Sequence, residues 1–522
     1  MHSRSWVSAL AGWLVVGLSA VQAEVKPHAL FSDHMVLPRG AKTPVWGTAA
    51  DGETVTVRFL KQEKTTTAKN GRWLVYLENL QAGGPYELTI TGTNTITLKN
   101  VLIGDVWLCS GQSNMAWAVR SSAGADEAIA APANPMIRLF TVPRRLARTP
   151  QTDVAACWEE CSPTTVAAFS AVGYYFGRDL QKALNVPIGL INSSVGGTPA
   201  EAWTSKSAFL TTPELKAIVD QDEQNYPAAL AAYPKLVEKY KEALARHKDA
   251  VAKAKAEGKP IPAAPRPPVH PDNSTSRPAV LFNGMIAPLQ PFAIRGVIWY
   301  QGESNAGRYA EYQALLSAMI QDWRKGFGCG DFPFLIVQLA PFMKIETEPT
   351  DTAWARLREA QLKTTQSVKN CALAVITDLG DENDIHPKQK APVGQRLALA
   401  ARALAYGEQI VYSGPEFERM TVDGSKAVLH FRHVGSGLVA KGDKLTGFTI
   451  CGEDRRFVPA EARIEGHTVV ISSPQVARPV AVRYGWANYP VVNLWNKEGL
   501  PATPFRTDDF PMVATPAKPA KP

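Results

Sequence analysis

Between residues 101 and 405, short apolar runs alternate with longer amphipathic ones, and this alternation limits the possible folds more than any other feature of the chain. Residues 101–108, 186–191, 294–300, 334–339 and 372–377 are rich in Val, Ile, Leu and aromatics and are short, which predicts strands. Residues 167–184, 309–323, 353–368 and 389–405 repeat apolar side chains at helical spacing and predict helices, with Asn185 and Gly407 closing the first and last. Strands this apolar need cover on both faces. The expected fold class is therefore α/β, built on a mostly parallel sheet. In such sheets ligands bind beyond the carboxyl ends of the strands, where the loops gather.

The flanks have a different texture. Residues 24–100 carry short runs at 43–46, 53–60, 73–77 and 86–91, separated by Asp-Gly, Asn-Gly and Gly-Gly-Pro turns, and predict a small β-sandwich. Packing or glycan contact is its expected role. Residues 409–515 read as a second β-rich unit, with strands at 427–432, 445–451, 468–472 and 480–484. A helical insertion is expected at about 205–272 within the α/β unit of 101–408. Its residues 213–258 hold eight basic and eight acidic side chains, with Val237, Leu244 and Val251 seven apart, which predicts a long exposed helix or helical hairpin. The Pro-rich return from Pro260 to Pro271 cannot be helical. The Ala/Pro/Lys tail, 516–522, is expected to be disordered.

At the N-terminus Arg4 precedes an apolar run over 6–21, and Val21-Gln22-Ala23 forms a small-x-small site. This predicts a signal peptide over 1–23, cleaved near Ala23, and a periplasmic or secreted product. No later run approaches the ~18 apolar residues of a membrane span, so no membrane association is expected after cleavage. The 56 basic and 48 acidic residues leave a charge of +8 with no run of five Lys or Arg, so no nucleic-acid partner is expected. Of six cysteines, Cys157 and Cys161 have neither a neighbouring His nor a second pair. They suggest a local disulfide or two inert thiols rather than zinc. Cys109 lies in an apolar strand and should simply pack.

Four loops at the ends of these strands carry the chemistry. In Gly111-Gln112-Ser113-Asn114-Met115 a strand runs into a turn that presents a serine at a helix start, where backbone N–H groups favour negative charge. In Ser194-Val195-Gly196-Gly197-Thr198 paired glycines let backbone amides approach a ligand closely. Gln301-Gly302-Glu303-Ser304-Asn305 places dense polarity directly after a buried strand, which is costly unless the groups face a cleft or satisfy one another. Asp378-Leu379-Gly380-Asp381-Glu382-Asn383-Asp384-Ile385-His386 surrounds one histidine with acids and amides. A serine hydroxyl needs a base, commonly a histidine oriented by a carboxylate, and a metal site would need more ligands than one histidine supplies. The pattern points to a hydrolase with no cofactor and no metal.

Order and spacing of these motifs, together with Leu281-Phe282-Asn283-Gly284-Met285 and Arg483-Tyr484-Gly485-Trp486, resemble the SGNH (GDSL-like) hydrolase superfamily and, within it, the sialate O-acetylesterase family. The resemblance covers nearly all of the chain beyond residue 24. It implies a three-layer α/β/α catalytic domain with accessory β-domains and an O-acetylated sugar as substrate. Sialic acid 9-O-acetyl esters are the first expectation, acetylated xylan or xyloglucan the alternative, and a non-catalytic glycan-binding protein the rival of another class. It implies Ser113 as nucleophile and His386 as base. The oxyanion would be held by the N–H of Ser113, a glycine N–H at Gly196 or Gly197, and a side-chain amide, with Gln301 favoured over Asn305. Gln112, Asn114 and Glu303 would contact substrate. Many SGNH enzymes carry the orienting Asp three residues before the His, where this chain has Asn383. Asp384 is then the choice, Asp381 the alternative, and a Ser–His dyad a third possibility.

Overall fold

A single 17-residue strand, β1 (Thr95–Gly111), organises the molecule. Its first half alternates exposed and inward-facing residues, while its second half, from Val101 on, is buried throughout. The computed structural model describes residues 24–131 and 133–512, so the signal peptide expected over 1–23 and the tail expected over 516–522 lie outside the described residues. Around the buried half of β1 run β2 (Asn134–Thr141), β3 (Trp158–Cys161), β4 (Ile188–Ser194), β5 (Gly296–Tyr300), β6 (Phe334–Val337) and β7 (Cys371–Ala374), in the order β3-β2-β4-β1-β5-β6-β7. All neighbours are parallel except the edge strand β3, which pairs antiparallel with β2.

Alternate residues of these strands feed two separate cores, which is how the fold covers both faces. Trp107, Ile298, Leu335 and Ala372 point to one side, under helices α2 (Ala171–Leu184) and α6 (Ala391–Tyr406). Leu108, Trp299, Phe334 and Ile336 point to the other, under α4 (Tyr309–Phe327) and α5 (Ala353–Ser367). The fold is mixed α/β, with five of its six parallel strands and their helices where the alternation placed them; the sixth, β2, is an addition to that reading.

The boundary expected at residue 100 falls inside β1. Strand Gly83–Thr91 pairs antiparallel with the first part of β1 and Val36–Pro38 pairs parallel with Leu102–Gly104, so the N-terminal β-structure hangs directly on the central sheet. Phe31, Val55, Trp73 and Leu88 belong to the same continuous core as Leu315 and Trp323 of α4. Residues 416–506 instead form sheets over their own core, around Leu429, Ile450, Val469, Tyr484 and Phe505. That unit is pinned to the central one by arginine hydrogen bonds: Arg358 of α5 donates to the carbonyls of Ala487 and Asn488 at 2.8 and 2.9 Å, and Arg506 forks onto the Glu359 carboxylate.

The charged stretch forms one helix, α3 (Pro213–Ala256), of 44 residues rather than a hairpin. It runs through Pro227 and Pro234, each costing one backbone hydrogen bond, because the turns around them are Ala-, Leu- and Lys-rich and the helix is largely solvated. The Pro-rich return lies back along it, with His270 against Tyr233 and Asp272 accepting from the Tyr226 hydroxyl at 2.6 Å. Cys157 and Cys161 are both free thiols, and burial raises Cys161 to about 11. Cys109 is fully buried, as its strand position implied. No helix among the described residues is long and apolar enough to cross a membrane.

Candidate active site

The registers of β4, β1 and β5 bring three loops to one point. Gly111 lies opposite Ser194 on one side and Tyr300 on the other, so all three strands end level. Gly111 has φ +139°, and a Cβ there would sit 2.1 Å from the Tyr300 carbonyl oxygen, so only glycine allows the strand to turn at this depth. Gln112 N then donates to the Tyr300 carbonyl at 2.9 Å, and Val195 N to that of Gly111 at 3.1 Å, tying the loops together. Ser113 opens α1 (Ser113–Ala116), a single helical turn whose first residue has no side-chain cap. Ser170 holds this turn from outside, donating to the Met115 carbonyl at 2.6 Å while accepting from Gly173 N at the start of α2.

The fourth loop, after β7, returns His386 to the serine. His386 Nε2 lies 2.8 Å from Ser113 Oγ, and Asp384 Oδ1 lies 3.3 Å from His386 Nδ1. The same Oδ1 accepts from His386 N at 2.9 Å, so the carboxylate meets the ring edge at ion-pair distance and fixes the backbone of the loop as well. The other acids of this loop are otherwise engaged. Asp381 Oδ1 accepts from the N–H groups of Asn383 and Asp384, Asp378 pairs with Arg396, and Glu382 accepts from Ile345 N. Trp117, four residues after Ser113, stacks on the His386 ring with centroids 5.1 Å apart and planes 19° off parallel.

Opposite His386, Gly196 closes on the serine: a Cβ on it would lie 3.2 Å from Ser113 Cβ. The N–H groups of Ser113, Gly196 and Gly197 donate to no protein acceptor among the described residues. The side-chain amides expected to join them are committed elsewhere. Gln301 is fully buried, and its Nε2 donates to the Thr198 carbonyl at 3.2 Å and to Asn305 Oδ1 at 2.8 Å while its Oε1 accepts from Tyr312. Asn305, also fully buried, donates to Glu201 at 2.9 Å and accepts from Ala200 N. Both residues brace the Gly196–Thr198 loop from beneath, because amides that follow a buried strand must satisfy one another.

Of the three residues expected to contact substrate, Gln112 and Asn114 are buried and Glu303 is half-buried, and all three hydrogen-bond within the protein. Gln112 Oε1 faces the N–H groups of Gly302 and Ser304, each at 3.4 Å. Asn114 Nδ2 donates to Glu303 at 2.6 Å and to the Ile385 carbonyl at 3.0 Å, and its Oδ1 accepts from Lys390 Nζ. Asn114 thus joins the Ser113 loop to the Gln301–Asn305 loop and to the backbone next to His386. Burial pulls the Lys390 ammonium down to about 7 and pushes Glu303 up, while the attraction between them works against both shifts. Lys390 also sits over the Tyr300 ring, 5.3 Å from its centroid. Sequence reasoning missed Trp117 and Lys390. Lys390 looks like an ordinary surface lysine at a helix start; its spacing of four from His386 is the one available signal.

The chain matches the carbohydrate esterase, sialic acid-specific acetylesterase family over residues 103–257 and 277–403. It is 31% identical to the sialate O-acetylesterase of Mus musculus, covering 88% of each protein, and 30% identical to that of Homo sapiens, covering 91% of this chain and 90% of the human one. Among solved structures, a carbohydrate acetylesterase from Xanthomonas citri superposes with a TM-score of 0.79 at 38% identity, over 93% of this chain and all of that one. The chain therefore belongs to the sialic acid-specific acetylesterase family of carbohydrate esterases and is a carboxylic ester hydrolase.

Proposed function

We propose that this esterase removes acetyl groups from sugar hydroxyls through an acetyl-serine intermediate on Ser113. The observation that carries the reading is the 2.8 Å contact between Ser113 Oγ and His386 Nε2, beside three unspent backbone N–H groups. Ser113 Oγ attacks the acetyl carbonyl carbon while its proton passes to His386 Nε2. The resulting oxyanion sits against the N–H of Ser113 and that of Gly196 or Gly197, with Gln301 and Asn305 holding that loop in place rather than donating to it. The bond to the sugar oxygen breaks as His386 returns the proton to it, freeing the hydroxyl. Water then attacks the acetyl-serine, giving its proton to His386, and acetate leaves as Ser113 recovers a proton. Asp384 holds the imidazole in place. Losing one oxyanion donor in such a site costs ~100- to 1,000-fold in rate.

In this reading the central unit is the three-layer α/β/α sandwich of SGNH hydrolases, with accessory β-units at 24–100 and 409–515 and the helical insertion at about 205–272. The chain is exported to the periplasm or beyond after cleavage near Ala23, and it meets O-acetylated sugars there rather than nucleic acid or membrane. Sialic acid 9-O-acetyl esters are the proposed substrate, supported by the sialate O-acetylesterases that match along most of the chain. The test is acetate release from 9-O-acetyl sialic acid, acetylated xylan oligomers and acetylated xyloglucan, with Ser113→Ala in parallel. Release that disappears in the variant is expected, fastest on the sialic acid ester. Preference for a plant polysaccharide overturns the substrate; no release from any ester, a small activated acetate included, overturns the mechanism.

A further inference from the structure

A second cleft, of about 640 Å³, lies where the N-terminal β-structure meets the central unit, and none of the catalytic residues lines it. Its size falls in the range that encloses a drug-sized ligand, roughly two or three sugar rings. One wall is Trp46, half-buried and held rigid by Phe31, whose ring meets it edge-on at 4.8 Å, and by His28 at 5.0 Å. Such a fixed aromatic face suits the apolar C–H face of a pyranose.

The hydrogen-bonding groups around the cleft have unspent capacity. His28 is 3% exposed, and its Nδ1 accepts from Leu30 N at 3.1 Å, so the neutral ring carries its proton on Nε2. That Nε2 is buried without a hydrogen-bond partner, lying 3.1 Å from Asp153 Oδ1, which already accepts from the N–H groups of Ala29 and Val154. Asp153 Oδ2 takes no hydrogen bond among the described residues, and the exposed Arg72 guanidinium has no partner there. Gln290 also lines the cleft, with its side-chain amide packed against Gly326 of α4. A carboxylate oxygen and a guanidinium left free at the edge of a roomy polar cleft can be satisfied there by a ligand or water. Donors, acceptors and an aromatic face around one volume are the composition that a sugar, with hydroxyls on its rim and C–H groups on its faces, would satisfy.

Two segments that line the cleft are tied to β4, the strand that leads to Gly196. The loop that carries Asp153 leaves the carboxyl end of β2, where Val142 N donates to the Asn192 carbonyl of β4 at 2.9 Å. Phe282, another lining residue, belongs to the turn Phe282–Ile286, whose Met285 carbonyl accepts from Ser193 of β4 at 3.0 Å. One turn of chain therefore separates the cleft from the strand end that bears Gly196.

We propose that this cleft is a non-catalytic glycan subsite, distinct from the acetyl pocket, that grips two or three pyranose rings of an oligosaccharide while Ser113 acts elsewhere on the glycan. The test compares wild type with Trp46→Ala and with the paired rim variant Arg72→Ala/Gln151→Ala, Gln151 being another residue that lines the cleft. Two substrates serve, acetylated xylan oligomers of six or more rings and 4-nitrophenyl acetate, which cannot reach both sites. The proposal expects KM on the oligomer to rise about tenfold in Trp46→Ala and severalfold in the rim variant, with kcat on the oligomer and kcat/KM on the small ester unchanged. Wild-type KM on the oligomer in both variants overturns it, as does an equal loss on both substrates. Should Trp46→Ala fail to fold, the rim variant decides, since Arg72 is exposed and Gln151 half-buried. If the oligomer is not deacetylated, the same comparison is made by titrating xylohexaose and 3′-sialyllactose into the Ser113→Ala protein. Binding of either sugar that weakens in the Trp46 and rim variants supports the subsite, and binding of neither, or binding that they leave unchanged, overturns it.

Discussion

Replacing Asp384 by Asn separates two accounts of the catalytic acid, because Asn keeps an oxygen for the His386 N–H and removes only the charge. The magnitude follows from geometry. Asp384 Oδ1 lies 3.3 Å from Nδ1, and the Asp384 side chain is 41% exposed against 26% for His386. In surroundings this wet an effective dielectric of about 40–80 gives ~1.3–2.5 kcal/mol between unit charges at that distance. With ~1.4 kcal/mol per factor of ten, Asp384→Asn should lower kcat/KM ~10- to 70-fold. A buried aspartate in line with the ring would be worth ~10,000-fold. The assay is hydrolysis of a small activated acetyl ester at neutral pH, with a thermal melt to show that the loop still folds. Asp381→Asn is the control: it keeps the acceptor for Asn383 and Asp384 N–H and should change the rate less than about threefold. A loss above ~1,000-fold in Asp384→Asn would show that the charge acts in line and refute the screening argument. A loss below twofold would leave a Ser–His dyad, and a larger effect of Asp381→Asn would move the role to that residue.

Gly196→Ala presses a methyl group against Ser113 Cβ at 3.2 Å and shifts a proposed oxyanion N–H, so kcat should fall ~100-fold while KM and the melting temperature stay near wild type. Lys390→Met strands Glu303 in a buried site and should cost ~3 kcal/mol of stability, much of it restored in the double variant with Glu303→Gln; additive effects in chemical denaturation would refute the coupling. The lysine also has a pH signature. Unfolded, Lys390 holds its proton up to the ordinary lysine range, whereas folded it releases it near pH 7, so unfolding takes up a proton in between. Its contribution to stability rises with pH across that window, by ~1.4 kcal/mol per unit, and the wild-type advantage over Lys390→Met should be greater at pH 9 than at pH 7. Arg358→Met removes four hydrogen bonds, to the carbonyls of Leu339, Ala340, Ala487 and Asn488, and should lower stability by ~3 kcal/mol, measured by denaturant unfolding.

The strand–helix alternation was legible because both faces of the sheet are buried, which leaves continuous apolar runs in β5, β6 and the second half of β1. The true start of β1 was not. Thr95, Lys99 and their neighbours alternate like a half-exposed hairpin strand, while Val101 onward reads as a core strand, and the sequence offers no sign that the two are one ribbon serving two environments. In the site, the pairing of Ser113 with His386 was legible because few residue types can serve as nucleophile and base and the chain offers few of them in strand-end loops. Gln112, Asn114, Glu303, Gln301 and Asn305 were recognisable as a polar cluster, but not the internal hydrogen bonds they make with one another and with the loops around them. A polar residue after a buried strand can face a cleft or face its neighbours, and only tertiary structure chooses between them.

That choice explains how a catalytic pair can be held on such slight local structure. Ser113 begins a four-residue helix with no side-chain cap, and His386 lies in a loop with no regular structure of its own. Neither element could fix a 2.8 Å contact alone. The positional information comes from Asn114, which reaches Glu303 after β5, the Ile385 carbonyl after β7 and Lys390 at the start of α6. Each bond spans 189 residues or more of chain, so none can form until the parallel sheet has assembled in register. A buried lysine and glutamate stabilise the fold poorly, since desolvation offsets most of their attraction. Their value here is discrimination: a sheet slipped by one residue would leave both charges buried and unpaired. The Lys390→Met/Glu303→Gln variant should therefore fold with near wild-type stability yet show a lower kcat, because the Ser113 and His386 loops would no longer be held in a single arrangement. Full activity in that variant would show that backbone contacts alone, such as Gln112 N to the Tyr300 carbonyl, suffice to position the pair.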